Sequence, residues 1–316
     1  MLIVVALGGN ALLRRGERLS AENQHRAIIT AARVLAAAIL KGHKLVITHG
    51  NGPQVGLLAL QSLAGPVEGV LPLDVLGAES EGWIGYALEL AVRNALPPSA
   101  EVVTVLTQTL VDAGDTAFSA PTKPIGPVYD ENQAKRLAAE HNWSVAPDGK
   151  GWRRVVASPQ PQGIVEIASI NRLINAGLTV ICTGGGGIPV CTGVDGRLAG
   201  VEAVVDKDTA SGLLAEQTGA GLFVMLTDVG GVYLDYASKA QKMIAKAGPD
   251  ALAAHAAAFQ SGSMGPKVAA ACNFVRHTGQ PAAIGALGDL AEILAGQKGT
   301  IISPEPDTVS YYSGTL

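Results

Sequence analysis

The chain has 316 residues, 48% hydrophobic, 16% charged and only 4% aromatic. That length is about two domains' worth and suffices to bury a large core, while the composition excludes a disordered chain and the short, interrupted apolar runs exclude a bilayer span. With 23 basic and 27 acidic residues the formal net charge is −4, so the basic footprint of a nucleic-acid binder is missing and any anion must be met by local groups.

In chain order, short β-branched runs alternate with helical patterns, which predicts an α/β fold with a mainly parallel sheet covered by helices on both faces. Met1 leads straight into the first apolar run, Leu2–Leu7, without the ordered regions of a signal peptide, and a cytoplasmic protein is expected. Ser20 with Glu22 opens a helix in which Ala27, Ile28, Ala31, Val34, Leu35, Ala38 and Ile39 recur at helical spacing before Gly42 ends it. Residues 44–48 are the second strand. A long helical pattern over 74–96, closed by Pro97 and Pro98, is apolar over much of its circumference through Trp83, Ile84, Tyr86 and Leu90, as a buried or oligomer-contact helix would be. Residues 102–106 form a third strand.

The texture then changes between Val111 and Ile164, with six prolines (Pro121, Pro124, Pro127, Pro147, Pro159, Pro161) and a helix over 130–141 opened by Asp130 and Gln133. A basic run over 150–154 follows. This predicts a small insert projecting from the sheet and a division into 1–111, 112–163 and 164–316, the outer parts sharing one sheet. Further strands are expected at 179–182, 222–226, 281–286 and 300–303. Cys182, Cys191 and Cys272, odd in number and without CxxC or zinc spacing, read as small buried hydrophobes.

Glycine-rich turns follow four of these strands: Gly8-Gly9-Asn10, Gly50-Asn51-Gly52, the glycines at 184–187, and Gly230-Gly231. In a parallel sheet such turns line the carboxyl edge, where glycine admits close approach and helix N-termini present free N–H groups to anions. Neither a Walker-type P-loop nor a GxGxxG fingerprint is present. Phosphoryl transfer needs fixed positive charge where negative charge accumulates, and three lysines stand out. Lys123 lies between Pro121 and Pro124, Lys207 between Asp206 and Asp208 at a helix start, and Lys267 just after Pro266 where another helix begins. Each is either a solvated surface lysine or a phosphate ligand. Asp206 and Asp208 are either helix caps or groups that orient lysine or a metal nucleotide. Thr227-Asp228 is an ordinary turn or part of a nucleotide pocket, and His49 an oxyanion donor or a core histidine.

The segments VVALGGNALL, HGNGPQVGLLALQ, VLTQTLVD, PTKPIGPVY, WRRVVASPQP, GGGGIPV, GVEAVVDKDTAS and GSMGPKV, in this order, resemble the carbamate kinase family over nearly the whole chain, within the wider amino acid kinase superfamily. The resemblance implies an open eight-stranded αβα sandwich, usually a homodimer, with the proline-rich insert as a protruding subdomain. It implies that Gly8, Gly9, Asn10, Gly50, Asn51 and Gly52 hold carbamoyl phosphate, that Lys123 reaches in from the insert, and that Lys207 and Lys267 stabilise the transferring group with Asp208 organising them. The nucleotide, carrying Mg²⁺, is expected near Gly185, Gly186, Asp206, Thr227, Asp228, Tyr233 and Met264. Leu7 precedes the first Gly-Gly where many superfamily members carry lysine, which favours the carbamate kinase branch. The implied reaction is MgATP plus carbamate giving MgADP and carbamoyl phosphate, with no membrane or nucleic-acid partner. A kinase for another small carboxylate and a non-catalytic nucleotide sensor are the competing readings.

Overall fold

The computed structural model describes residues 1–12, 17, 19–65, 71–259, 264–305 and 308–312, with residues 10 and 11 described by their backbone alone. Its central sheet runs in the order Tyr233–Leu234, Lys242–Ala247, Thr300–Ile302, Ala282–Ala286, Leu222–Thr227, Leu2–Leu7, Lys44–His49, Thr179–Ile181, Val102–Thr104, and Val309–Tyr311 also pairs with Lys242–Ala247. The strands from Ala282–Ala286 to Val102–Thr104 are mutually parallel. Thr300–Ile302 is antiparallel to its neighbour Ala282–Ala286 and parallel to Lys242–Ala247. These eight match the number the resemblance implies; seven lie where strands are expected, and Lys242–Ala247 is a strand the sequence reading missed. The short edge strands Tyr233–Leu234 and Val309–Tyr311, both antiparallel to Lys242–Ala247, bring it to ten. Being brief and partly exposed, they carry no apolar run by which sequence could announce them.

Both faces of the sheet are buried, which is why its strands read as continuous hydrophobic runs. Val4, Ala6, Val46, Val180, Phe223 and Met225 face one core with Leu214 and Phe274, whereas Ile3, Val5, Leu7, Leu45, Ile47 and Val224 face the other with Ile28, Leu35, Ile84 and Leu88. The covering helix Ala21–Leu40 is capped by Ser20, whose hydroxyl accepts from the Asn23 N–H at 3.2 Å. On the helix Leu73–Asn94, Ile84, Leu88 and Val92 are buried while Tyr86 and Leu90 stay at the surface. Cys182 and Cys272 are buried as expected, and Cys191 is half-buried.

The insert contains an antiparallel three-stranded sheet, Lys123–Tyr129, Gly151–Val156 and Ser144–Asp148, and the helix Glu131–His141, whose Asp130 cap accepts from the Gln133 N–H at 2.9 Å. It seats on the helix Gly52–Ala64 through Ile125 and Val156 against Val55 and Ala59. A four-stranded sheet unforeseen in the sequence, Leu198–Gly200, Ile188–Thr192, Gln108–Val111 and Pro161–Ile164, is separate from it. The outer parts of the chain interleave at Thr179–Ile181, which pairs between Lys44–His49 and Val102–Thr104.

Candidate active site

The strands Leu222–Thr227, Leu2–Leu7, Lys44–His49 and Thr179–Ile181 are parallel neighbours, so the four glycine turns that follow them share one sheet edge. The Gly8 N–H donates to the Leu226 carbonyl at 2.8 Å, and a Cβ on Gly8 would lie 2.8 Å from that oxygen and 3.8 Å from Thr227 Cα. No side chain fits there without parting the strands. The Gly50 N–H donates to Leu7 at 3.1 Å, and a Cβ on Gly50 would stand 3.2 Å from the Gly9 nitrogen and 3.7 Å from Lys207 Cδ. The two turns therefore touch, and the stem of Lys207 lies over them. Gly52 starts the helix Gly52–Ala64 with proline in its first turn, leaving the N-terminal N–H groups outward. Asn10 contributes backbone to the short helix Gly9–Leu12; its side chain lies outside the described residues.

Above these turns begins the helix Lys207–Gln217. Asp206 caps it: Oδ1 accepts from the Asp208 N–H at 3.0 Å and the Thr209 N–H at 3.1 Å, while Oδ2 accepts from Lys123 Nζ at 2.5 Å. Asp208 takes Lys207 Nζ on Oδ1 at 2.6 Å and Lys267 Nζ on Oδ2 at 3.1 Å. Lys267 reaches it from the first turn of the helix Met264–Thr278. All four expected catalytic residues converge, with Asp206, on one helix N-terminus. Lysines 207 and 267 and Asp208 are almost wholly buried, with side chains 11%, 6% and 7% exposed. Three lysines and two aspartates thus meet at one point, and the buried ammonium groups of Lys207 and Lys267, fixed by a shared carboxylate, suit an anion.

Titration follows from this packing. Burial opposes ionisation of Asp208, but the ammonium groups of Lys207 and Lys267 outweigh it and hold its carboxyl below the usual range. Asp206 behaves alike, burial being overcome by Lys123 and the Thr209 N–H. Lys207 is lowered, chiefly by burial and further by Lys267, against the pull of Asp208.

The third turn carries positive φ at Thr183, Gly185, Gly186 and Gly187. Glu81, 1% exposed, holds it: Oε1 accepts from the Gly184 N–H at 2.8 Å and Oε2 from the Thr107 N–H at 3.2 Å. Burial raises this carboxyl to about 8, against those donated hydrogen bonds. A Cβ on Gly184 would meet the His49 ring, and one on Gly185 the Asn51 side chain; Asn51 Nδ2 in turn donates to Ser80 Oγ at 2.8 Å. Gly185, expected with Gly186 beside the nucleotide, thus sits against Asn51 of the Gly50-Asn51-Gly52 turn, because Thr179–Ile181 pairs with Lys44–His49 and not with Leu222–Thr227, while a Cβ on Gly186 would meet Val205. His49 is fully buried and lowered to about 4, first by burial, with the Gly50 carbonyl opposing and Lys207 adding. It is a neutral core histidine.

Of the residues expected at the nucleotide, Asp206 stands in the lysine cluster, Thr227, Asp228 and Tyr233 follow the strand Leu222–Thr227, across Leu2–Leu7 from Lys44–His49, and Met264 heads the helix of Lys267. Thr227 Oγ1 donates to Asp228 Oδ1 at 3.1 Å. The Tyr233 hydroxyl closes over Gly230, 3.4 Å from where its Cβ would be, and Met264 packs half-buried on the core at the head of its helix. Gly262 and Ser263 of the GSMGPKV segment lie outside the described residues. Glu81 and Ser80 were missed by sequence reasoning; their signal is a polar pair on the buried stripe of a helix otherwise packed with Ile84 and Leu88.

An open parallel sheet with a buried lysine and aspartate cluster at its glycine-lined edge is the architecture of a phosphoryl-transfer enzyme, and a family model described as the amino acid kinase family matches residues 1–286. The chain belongs to that family. The carbamate kinase of Haemophilus influenzae is 50% identical over 99% of this chain and 100% of its own, that of Escherichia coli K12 52% over 95% and 99%, and that of Pyrococcus furiosus 46% over 96% and 99%. The solved structure of the Giardia lamblia carbamate kinase bound to AMP-PNP aligns with a TM-score of 0.87 at 40% identity, covering 96% of this chain and 98% of that one. Within the family, the chain falls among the carbamate kinases.

Proposed function

We propose that this protein catalyses reversible phosphoryl transfer between MgATP and carbamate, giving MgADP and carbamoyl phosphate. The observation that carries this reading is the buried Lys207, Asp208 and Lys267 cluster at the meeting point of two glycine turns. Preorganised cations there stabilise charge on the transferring phosphoryl oxygens without reorganising at the moment of reaction. Lys207 and Lys267 act on that group, Asp208 fixes them, and Lys123 approaches the same phosphate from the insert. A carbamate oxygen is already anionic, so the step needs no general base, in keeping with a buried, neutral His49.

Gly8, Gly9, Asn10, Gly50, Asn51 and Gly52, with the outward N–H groups of the helix Gly52–Ala64, hold the acceptor side; the turn bearing Gly185 and Gly186 belongs with them by position. Thr227, Asp228, Tyr233 and Met264 hold the nucleotide, and the AMP-PNP-bound relative supports such a site. Asp206 and Asp208 each already bind a lysine, and their carboxylates can also accept from water. That donor set fits Mg²⁺ that arrives on the nucleotide and keeps several waters, for which these two carboxylates are acceptors. When bound, the ion neutralises charge on the phosphate oxygens.

In domain terms, 1–111 forms the carbamate side, joined there by Thr179–Ile181 and the glycine turn after it, 112–163 a lid, and the rest of 164–316 the nucleotide side. No helix of the described residues is long and apolar enough to cross a membrane. The proposal extends to a cytoplasmic homodimer, for which exposed Tyr86 and Leu90 offer apolar surface. The test is ATP formation from ADP and carbamoyl phosphate by the purified protein with Mg²⁺, suppressed by excess EDTA. ADP binding without ATP formation would replace this reading with that of a sensor.

A further inference from the structure

Gly56, in the second turn of the helix Gly52–Ala64, is buried directly beneath the insert. A Cβ built on it would lie 2.8 Å from Gly126 Cα and 3.0 Å from the Gly126 nitrogen. Both atoms are backbone, so neither can swing aside as a flexible side chain would. Gly126 is itself restricted to glycine by its φ of +71°, and its carbonyl is clamped from the opposite side by Arg153, whose Nε and Nη2 donate at 3.0 and 2.8 Å. Lys123 lies three residues earlier on the same strand, Lys123–Tyr129, about 10 Å away at the rise of a β-strand. Its ammonium meets Asp206, the cap of the helix that begins with Lys207.

A continuous backbone path thus runs from the helix behind the Gly50-Asn51-Gly52 turn, through the contact of the two glycines, to the reach of Lys123. We infer that Gly56 is a positioning residue: its missing side chain sets the seat of the insert and thereby the distance at which Lys123 meets the phosphate. This rests on the proposed role of Lys123. Relieving a 2.8 Å contact with backbone requires a shift approaching 1 Å, and displacements of that size at a catalytic group cost up to about 100-fold in rate.

The test is a double-mutant cycle with Gly56→Ala and Lys123→Ala, read by steady-state kinetics with carbamoyl phosphate and ADP. Gly56→Ala is expected to lower kcat/KM for carbamoyl phosphate at least about tenfold with the ADP KM within twofold of wild type, and to cost nothing further once Lys123 is alanine. A harmless Gly56→Ala, or an equal loss in both backgrounds, would overturn the inference. The role of Lys123 itself fails in a different way, by Lys123→Ala keeping full activity. Should Gly56→Ala not fold, Glu202→Gln enters the same cycle. Glu202 is the second tether of the insert, accepting from Arg154 Nη2 at 3.2 Å and from the Leu73 N–H at 2.8 Å. Its loosening must show the same dependence on Lys123, and a loss independent of Lys123 would count against the pivot.

Discussion

Lys123 and Asp206, 83 residues apart in the chain, meet at 2.5 Å and join the insert to the N-terminus of the helix that carries Lys207 and Asp208. One oxygen of Asp206 serves the insert and the other serves the helix. The insert therefore ends at the charged cluster, although its small sheet packs on a different helix.

Lys207→Ala is expected to lower kcat by at least about 100-fold, the scale on which loss of one preorganised donor to developing charge is felt. Asp208 keeps Lys267 as its partner at 3.1 Å, so the fold survives and the thermal transition remains cooperative. A variant within a few-fold of wild type would remove Lys207 from the chemistry.

Lys123→Ala separates the two substrates. Lys123 approaches from the insert and its side chain is 37% exposed, whereas Thr227 and Asp228 lie at the end of Leu222–Thr227 on the other side of Gly8. Carbamoyl phosphate use should fall steeply while calorimetric ADP affinity stays near that of wild type. Collapse of ADP binding with an unchanged carbamoyl phosphate KM would move Lys123 to the nucleotide.

Glu81 and His49 give stability a defined pH dependence. Burial raises Glu81 from 4.5 to about 8, so between those values the folded state holds a proton that the unfolded chain has released, and stability falls as pH rises. Burial lowers His49 from 6.5 to about 4, so between about 4 and 6.5 the unfolded chain holds the extra proton and stability rises with pH. The two slopes oppose each other up to pH 6.5; above it Glu81 acts without His49. Wild type should lose about 1 to 2 kcal/mol from this residue between pH 6.5 and 8, and Glu81→Gln, which does not titrate, should lack that decline in urea melts. The slope is the readout, because the amide also sets an N–H against an N–H. Equal slopes in both proteins would remove Glu81 as the cause.

Much of this molecule is written locally. Leu2–Leu7 and Leu222–Thr227 are apolar throughout because both sheet faces are covered, and Ser20 and Asp130 cap the helices that their positions announce. The convergence of Lys123, Lys207, Asp208 and Lys267 was legible only through resemblance, since nothing local to Lys123 encodes a partner 83 residues on. The side of the edge taken by Gly185 and Gly186 depends on strand order, a property of pairing that no segment contains by itself. Glu81 stayed hidden because a glutamate on a helix ordinarily reads as solvated, and only the fold places backbone N–H groups of Gly184 and Thr107 against it.

The division of labour between the oxygens of Asp206 bears on turnover. Helix Lys207–Gln217 keeps its cap through Oδ1 whether or not Lys123 occupies Oδ2. Release of Lys123 alone from Oδ2, as its proposed approach to the phosphate requires, would break one ion pair and free one side chain, while the first helical turn, and with it the position of Lys207, stays assembled. The entropy at stake in that exchange is that of a single flexible ammonium and does not include refolding a helix terminus.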